Sequence, residues 1–488
     1  MGGQWGFCGQ TYVAQSPNID CEEAINCYCE KSEGSAAKTP LALLHTPGRK
    51  IFAQLPESWV PSIASENGRT FAACANLWEL GGIGSPTNRG SLGVTPIKPS
   101  QIKFNETQAL IMNNGNLYVF TMATNALVAV NMAQFNGPVM QIEFLDGYFI
   151  ALLENSHTFQ VSALKDGTTW GGLDIATISL SPDNIVSMKV DHRVLWFQSS
   201  KKSFGYYNVG AGAPPFIPIQ DAVVENGAGV TFATVQLDNS IMYLDQDERG
   251  YMVARRLSGY TPQRISNHSV ETAWQGYSKV TDAVGWTYQA DGHSFWNIWF
   301  QTANVTWTFD VSTGLWHKRL FWDQISGKYI ADRAMSHTFN FGMHLVGDWA
   351  SGNVYQLSNA IYTDFDNPIR GLRRCPLPTK ENEWIYTASV EIDVECGIAP
   401  QPPLLDGNGN PRPPQLMMRF SRDAAKNWGN TWLIPCGFSG ETTKRARKVM
   451  LGRARRPVLE VAWTDPIPWR FVDAYIKAYP ASTGSIGQ

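Results

Sequence analysis

Along most of the chain, polar turns alternate with short apolar or in-out alternating runs, and the three-to-four-residue spacing of an amphipathic helix is scarce. Asn114-Gly115 leads into LYVF and then ALVAV, and Asp146-Gly147 into YFIALL and TFQVSAL. Asp191-His192 leads into VLWF and SFGYYNV, and Asp238-Asn239 into SIMYL and YMVARRL. Asp291-Gly292 leads into SFWNIWF, VTWTFDV and Thr313-Gly314, and Phe341-Gly342 into MHLVGDW and NVYQL. Each unit predicts antiparallel strands joined by hairpins.

With Gly115, Gly147, His192, Asn239, Gly292 and Gly342 as markers, the units repeat at steps of 32, 45, 47, 53 and 50 residues. All but the first step are close to the period of a β-propeller blade, about 40–50 residues. A four-stranded sheet cannot bury both faces alone, so blades pack radially and the ring protects its ends by closing. A β-sandwich gives strands at the same density but does not explain a long-period recurrence. The expected fold is therefore all-β, a propeller of about six blades over residues 51–365. Residues 1–50 contain small polar turns and few strand-like runs, and read as an extended arm for docking. Residues 366–414, with QPPLLDGNGNPRPP (401–414), read as a Pro- and Arg-rich connecting loop. Alternation resumes in QLMMRFS, TWLIPC, PVLEVAW and FVDAYIKAY, which predicts a small β-sandwich-like domain over 415–488.

Composition narrows the function classes. The 488 residues carry 39 Lys+Arg and 42 Asp+Glu, a formal charge of −3, so a surface that coats nucleic acid throughout is excluded and any DNA contact is local. Charged residues are 17% against about 25% in ordinary soluble domains, while aromatics reach 12%. That balance suits buried subunit interfaces and favours an obligate oligomer over an aromatic-rich core under an uncharged polar surface. No apolar run approaches the roughly 18 residues of a membrane span. Met1 to Gln10 hold no Lys or Arg and no apolar stretch follows, so the expectation is a product without a secretory signal that stays in the cytosol. Eight scattered cysteines form no disulfide framework, and the C-x5-C-x-C spacing of Cys21, Cys27 and Cys29, even with Cys8 added, is poor for zinc.

Nucleotide, zinc-protease and hydrolase motifs are absent. Gly81-Gly82-Ile83-Gly84 and Gly210-Ala211-Gly212 do not sit between a strand and a helix and read as loops. Asp245 to Gly250 begins like a calcium loop, but its twelfth position is Arg256 and not the bidentate Glu required, so it reads as a hairpin turn. No catalytic residue, metal or cofactor is assigned. Ser421-Arg422-Asp423-Ala424-Ala425-Lys426-Asn427-Trp428 is similar to an Asp-box, in which the Asp caps a turn and the Trp packs beneath; Ser421, Asp423 and Trp428 are its structural residues. Asp-boxes occur in sialidase propellers, so a glycan-cleaving or glycan-binding propeller is the alternative reading; cleavage would need an arginine cluster, a Tyr nucleophile and carboxylates on one face. Lys444, Arg445, Arg447, Lys448, Arg453, Arg455 and Arg456 form the densest basic run in the chain. They suit a contact with DNA phosphates or an acidic neighbouring subunit, or else a basic edge strand that repels unwanted pairing.

The C-terminal order RFSRDAAKNWGN (419–430), then ETTKRARKVMLGRARRPVLEVAWTDPIPWRFVDAYIKA (441–478), resembles the end of the packaged-DNA stabilisation proteins of short-tailed bacteriophages. There an S-x-D-G-G hairpin precedes a basic strand, a Leu-Gly-Arg turn and a final strand pair. Asn26 to Glu30, Leu43-Leu44 and Thr46-Pro47-Gly48 resemble the family's opening, and SFWNIWF with TWTFDVSTGLWHKR its central blades. Ala424 and Ala425 stand where glycines are usual, and the N-terminal cysteines are additional. The resemblance implies a structural virion protein without catalytic residues: a homohexameric tail hub or nozzle in the virion tail, assembled in the host cytoplasm. Its implied partners are a portal adaptor above, tail fibre, spike or needle proteins alongside or below, and the double-stranded genome that it retains and later lets pass. A low-charge, aromatic-rich surface suits permanent subunit contacts, and slight net acidity suits a conduit along which DNA slides.

Overall fold

A computed structural model describes residues 2–481 apart from 35, 180–181, 380–382, 399 and 401. The chain is 55% strand and 2% helix. Among the described residues, seven four-stranded blades succeed one another: 62–91, 101–129, 139–177, 185–224, 235–264, 283–318, and 334–358 completed by 48–54. They are numbered 1 to 7 in that order. The first strand of each blade lies beside the first strand of the next, and that of blade 7, Ala334–Asn340, returns to that of blade 1, Ser62–Glu66. The ring is closed.

The six units expected from sequence are blades 2 to 7; blade 1 is the addition. Its first hairpin turns at Asn67-Gly68, where both residues have positive φ (50° and 77°) as a tight two-residue hairpin requires. The short 32-residue step has a geometric cause. Gly115 lies in the second turn of blade 2, between Gln108–Asn113 and Asn116–Thr121, whereas the other markers lie in first turns. Counted from its true first turn at 105–107, blade 2 falls into the common period.

Apolar layers fill the spaces between consecutive blades. Phe71, Ile111 and Phe120 pack between blades 1 and 2, Leu110, Phe149 and Trp170 between 2 and 3, and Phe159, Phe197 and Tyr206 between 3 and 4. Polar side chains on the inner strands tie each blade to the next around the axis. Gln101 Oε1 accepts from Ile142 N at 2.9 Å, and Gln141 Oε1 accepts from Met188 N at 2.6 Å. The outer strand of blade 7, Gly48–Gln54, runs antiparallel to Asn353–Ser358 and comes from the N-terminal side of the ring. This joins the two ends of the propeller non-covalently. Arg49 of that strand is buried and reaches Asp364 through Nε and Nη2 at 2.5 Å each, and Asp332 through Nη1 at 2.6 Å.

The flanking segments are placed differently from the sequence reading. Residues 1–50 are not an extended arm, and 366–414 are not only a connecting loop. Gly371–Pro376, Gln415–Ser421, Trp432–Pro435 and Val458–Trp463 form a sheet with Cys21–Ile25, which continues through a parallel bridge into the outer strand of blade 6, Leu315–Lys318. The facing sheet comprises Gly2–Gln4, Cys27–Lys31, Leu41–His45, Ile385–Val394, Ala446–Ala454 and Arg470–Pro480. Their shared core contains Phe7, Cys29, Leu43, Val390, Met418, Val461, Trp463 and Phe471. The sandwich is thus built from both chain ends. The strands Cys21–Ile25, Cys27–Lys31 and Leu41–His45 were illegible because each has five residues, Cys27–Lys31 reaches its partner Leu41–His45 through a long connection and not a tight turn, and Cys21–Ile25 and Leu41–His45 also pair with Gly371–Pro376 and Arg470–Pro480, hundreds of positions away.

Candidate functional site

Where the sandwich joins blade 6, five charged side chains of alternating sign cross five neighbouring strands. Lys318 Nζ lies 2.7 Å from Glu23 Oε1, and Arg374 Nη1 lies 3.0 Å from Glu23 Oε2. Arg374 Nη2 lies 2.8 Å from Glu460 Oε2, and Arg419 Nη2 lies 2.5 Å from Glu460 Oε1. The last three residues are directly opposite one another in register, Arg374 with Glu460 and Arg419 with Glu460. Burial alone would raise the Glu23 carboxyl, but Lys318 and Arg374 outweigh it and hold it below its usual range. Indole rings close both ends, Trp307 at 5.0 Å from Lys318 and Trp428 at 4.7 Å from Arg419 and 5.3 Å from Arg374. A ladder with every charge paired resists shear between the sheet and the blade, since a one-residue slip turns side chains to the opposite face and parts the pairs. The sequence shows Glu22-Glu23 and Arg373-Arg374 but not that they meet.

Trp428 belongs to the Asp-box-like turn. Asp423 Oδ1 accepts from Ser421 Oγ at 2.8 Å and from Asn427 N at 2.9 Å, and Ser421 Oγ accepts from Ala425 N at 2.9 Å. The side-chain amide of Asn427 and its backbone N–H lower the Asp423 carboxyl below its usual range. Ala424 and Ala425 take positive φ, 60° and 63°, where glycine would cost less. The Trp428 ring lies over the two arginines of the ladder.

The basic run lies on and beside Ala446–Ala454, an edge strand paired on one side with Ile385–Val394. Lys444, Arg445, Arg447, Arg453, Arg455 and Arg456 are exposed and Lys448 is half-buried. Arg445 pairs with both oxygens of Glu391, with Nε at 2.6 Å from Oε1. Arg447 Nη2 donates to Ser389 Oγ at 3.1 Å. Lys448 sits 4.6 Å above Trp432, and Arg453 and Arg455 lie 4.6 and 5.0 Å from the ring centre of Trp384. The Asp-box-like turn abuts the end of this strand, with Ala424 N donating to Arg456 O at 3.0 Å and Arg422 Nη2 to Leu451 O at 3.2 Å. Neither Trp384 nor Trp432 was singled out from the sequence; an aromatic beside a basic strand was the available signal.

Elsewhere, a cleft of about 920 Å³ opens between blades 5, 6 and 7 on the face of their first turns. His337 Nε2 and His344 Nδ1 stand 3.0 Å apart in it. Burial, with His344 adding to it, holds His337 down at about 3, and burial lowers His344 as well. Asp238 and Asp291 line the cleft, and no arginine is among its described lining residues. The arginine cluster of a sialidase is therefore not assembled there. Cys8 and Cys29 are packed into the sandwich, where burial raises both thiols to about 12, and Cys21 rises to about 11. Among the described residues no group of three or more His, Cys, Asp or Glu is placed to hold a metal. Asp247 Oδ1 accepts from Arg249 N and Tyr251 N at 2.9 and 2.8 Å, which makes 247–251 a hairpin turn.

A family model described as bacteriophage P22 Gp10, β-propeller, of a phage stabilisation family, matches residues 74–362. That span runs from blade 1 through most of blade 7. No curated protein matches. Among solved structures, PorZ, a bacterial surface component of the type-IX secretion system of Porphyromonas gingivalis, is 12% identical, with a TM-score of 0.35 over 69% of this chain and 44% of that one. This chain thus spans less than half of PorZ, and the likeness is too slight to bear on fold or function.

Proposed function

We propose that this chain, which belongs to the phage DNA-stabilisation family of β-propellers, forms the tail hub of a short-tailed phage. The phage structural role follows from the family; the hub is the finer reading. In it the chain assembles as a homohexameric ring in the virion tail, after synthesis in the host cytoplasm. It closes the tail under a portal adaptor, retains packaged DNA and later provides its exit path, with fibre, spike or needle proteins attached alongside or below. It does so without catalysis. The observation that carries the reading is the match across most of a ring whose closure is locked by the buried ion pairs of Arg49 and whose attachment to the sandwich is tied by the Lys318–Glu23 pair. A part that withstands the pressure of packed DNA needs such stiffness. Native mass measurement of the purified chain, alone and with its adaptor, is expected to give a six-fold species. A persistent monomer under both conditions would remove the hub reading, and turnover of sialosides or capsular polysaccharide would remove the non-enzymatic one.

A further inference from the structure

The exposed edge of Ala446–Ala454 combines three features that point to one occupant. First, its charge is compensated at one residue alone among those described, Arg445 by Glu391. Lys444, Arg445, Arg447, Arg453, Arg455 and Arg456 are exposed, Arg422 and Lys426 of the abutting turn add to them, and among the described residues Glu391 is the one carboxylate in ion-pair contact with the group. This concentration stands out in a chain whose formal charge is −3. Second, the indole faces of Trp384 and Trp432 hold Arg453, Arg455 and Lys448 in place. Cation–π stacking fixes the stems of these side chains but neither neutralises them nor consumes their N–H donors, so the donors remain for an anion. Third, the edge is ill suited to take another strand. Met450 and Gly452 have positive φ, 60° and 93°, the register slips opposite Thr387 and Ser389, and Arg422 occupies the Leu451 carbonyl. A bulged, basic edge resists strand addition.

We propose that this edge binds the phosphate backbone of duplex DNA without regard to sequence. The proposal rests on the phage reading for its choice of DNA as the source of phosphate. Nine residues at about 3.3 Å each span about 30 Å, the rise of about nine base pairs. Backbone contacts of this kind release counterions, which makes salt dependence their signature.

The test is fluorescence anisotropy of the full chain with a labelled 30-base-pair duplex of arbitrary sequence, titrated in NaCl. Six cations predict a slope of log K against log salt of about −5. The triple variant Arg453→Gln, Arg455→Gln, Arg456→Gln is expected to make the slope shallower by about 3 and to lower affinity at 0.1 M salt on the order of 10²-fold. Arg249→Gln with Lys201→Gln, on the propeller, is expected to leave both unchanged. Should the triple variant fail to fold, Lys444→Gln with Arg447→Gln, at the other end of the strand, is expected to remove about 2 from the slope. An unchanged slope in a folded variant overturns the proposal. So does wild-type protein that ignores duplex at 50 mM salt, or that binds phosphatidylglycerol vesicles in its place. So does a triple variant that loses self-association but keeps its DNA slope, since the edge would then be a subunit contact. Incorporation into particles separates the two readings. Wild-type chain found in the virion but indifferent to DNA overturns the edge proposal alone, whereas wild-type chain absent from virions overturns the hub.

Discussion

Replacing Arg49 by Met tests how the propeller is closed. Arg49 lies on the strand Gly48–Gln54 that completes blade 7, with its side chain 2% exposed between Asp332 and Asp364, themselves 1% and 9% exposed. Burial alone would weaken its hold on the proton, but Asp332 and Asp364 outweigh that and raise it. A charge pair about 4 Å apart at an effective dielectric of about 20 gains about 4 kcal/mol. The methionine variant loses two such interactions but is spared the burial of one cation. Asp332 keeps Arg319, at 3.1 Å, so Asp364 is the carboxylate left uncompensated. Removing one partner of a buried pair costs about 3–5 kcal/mol. Spread over a ring of roughly 300 residues, that cost lowers the melting midpoint by about 5 °C. Differential scanning calorimetry, with limited trypsin digestion to detect release of the closing strand, measures it. Arg49→Met combined with Asp364→Asn is expected to recover most of the loss, because no uncompensated charge then remains. A midpoint within 1 °C of wild type, or a double variant whose losses simply add, would refute the reasoning.

The remaining expectations concern the ladder and acid. Glu460→Gln strips the 1%-exposed carboxylate from between Arg374 and Arg419, and is expected to cost about 3 kcal/mol in a denaturant-resolved sandwich transition while the propeller transition holds. Trp428→Ala, which removes one ring from over two arginines, is expected to cost about 1 kcal/mol in the same transition, whereas Trp428→Phe keeps part of it. His317 is buried at 4% exposure, and burial lowers it to about 3. The unfolded chain therefore takes up a proton below about 6.5 that the folded chain refuses, so the contribution of His317 is complete above that pH and drains at about 1.4 kcal/mol per unit towards pH 3. His317→Gln is expected to flatten the fall in urea midpoint between pH 7 and 5; an equally steep fall would show that other groups drive it.

The alternation in stretches such as YFIALL and SFWNIWF made the strands legible, and turns such as Asp146-Gly147 and Asp291-Gly292 made their hairpins legible, because a period of two and a left-handed turn are local properties. The propeller followed from their spacing, although a second-turn marker in blade 2 and the unread Asn67-Gly68 hairpin left the count at six where the structure has seven. The basic run was visible as composition, and the capping of the 421–428 turn by Ser421 and Asp423 was visible as a motif.

Other features came from pairing at a distance. The closing strand 48–54 meets 353–358, Glu23 meets Arg374 and Glu460 meets both Arg374 and Arg419, and no short-range pattern encodes which of two distant segments will adjoin. The sequence by itself determined the strands, the turns and the radial repeat, since those depend on neighbours within a few residues. Only the tertiary structure decided that both chain ends build one sandwich and that the basic strand is its exposed edge, because sheet order is settled by burial and charge matching among strands up to several hundred residues apart.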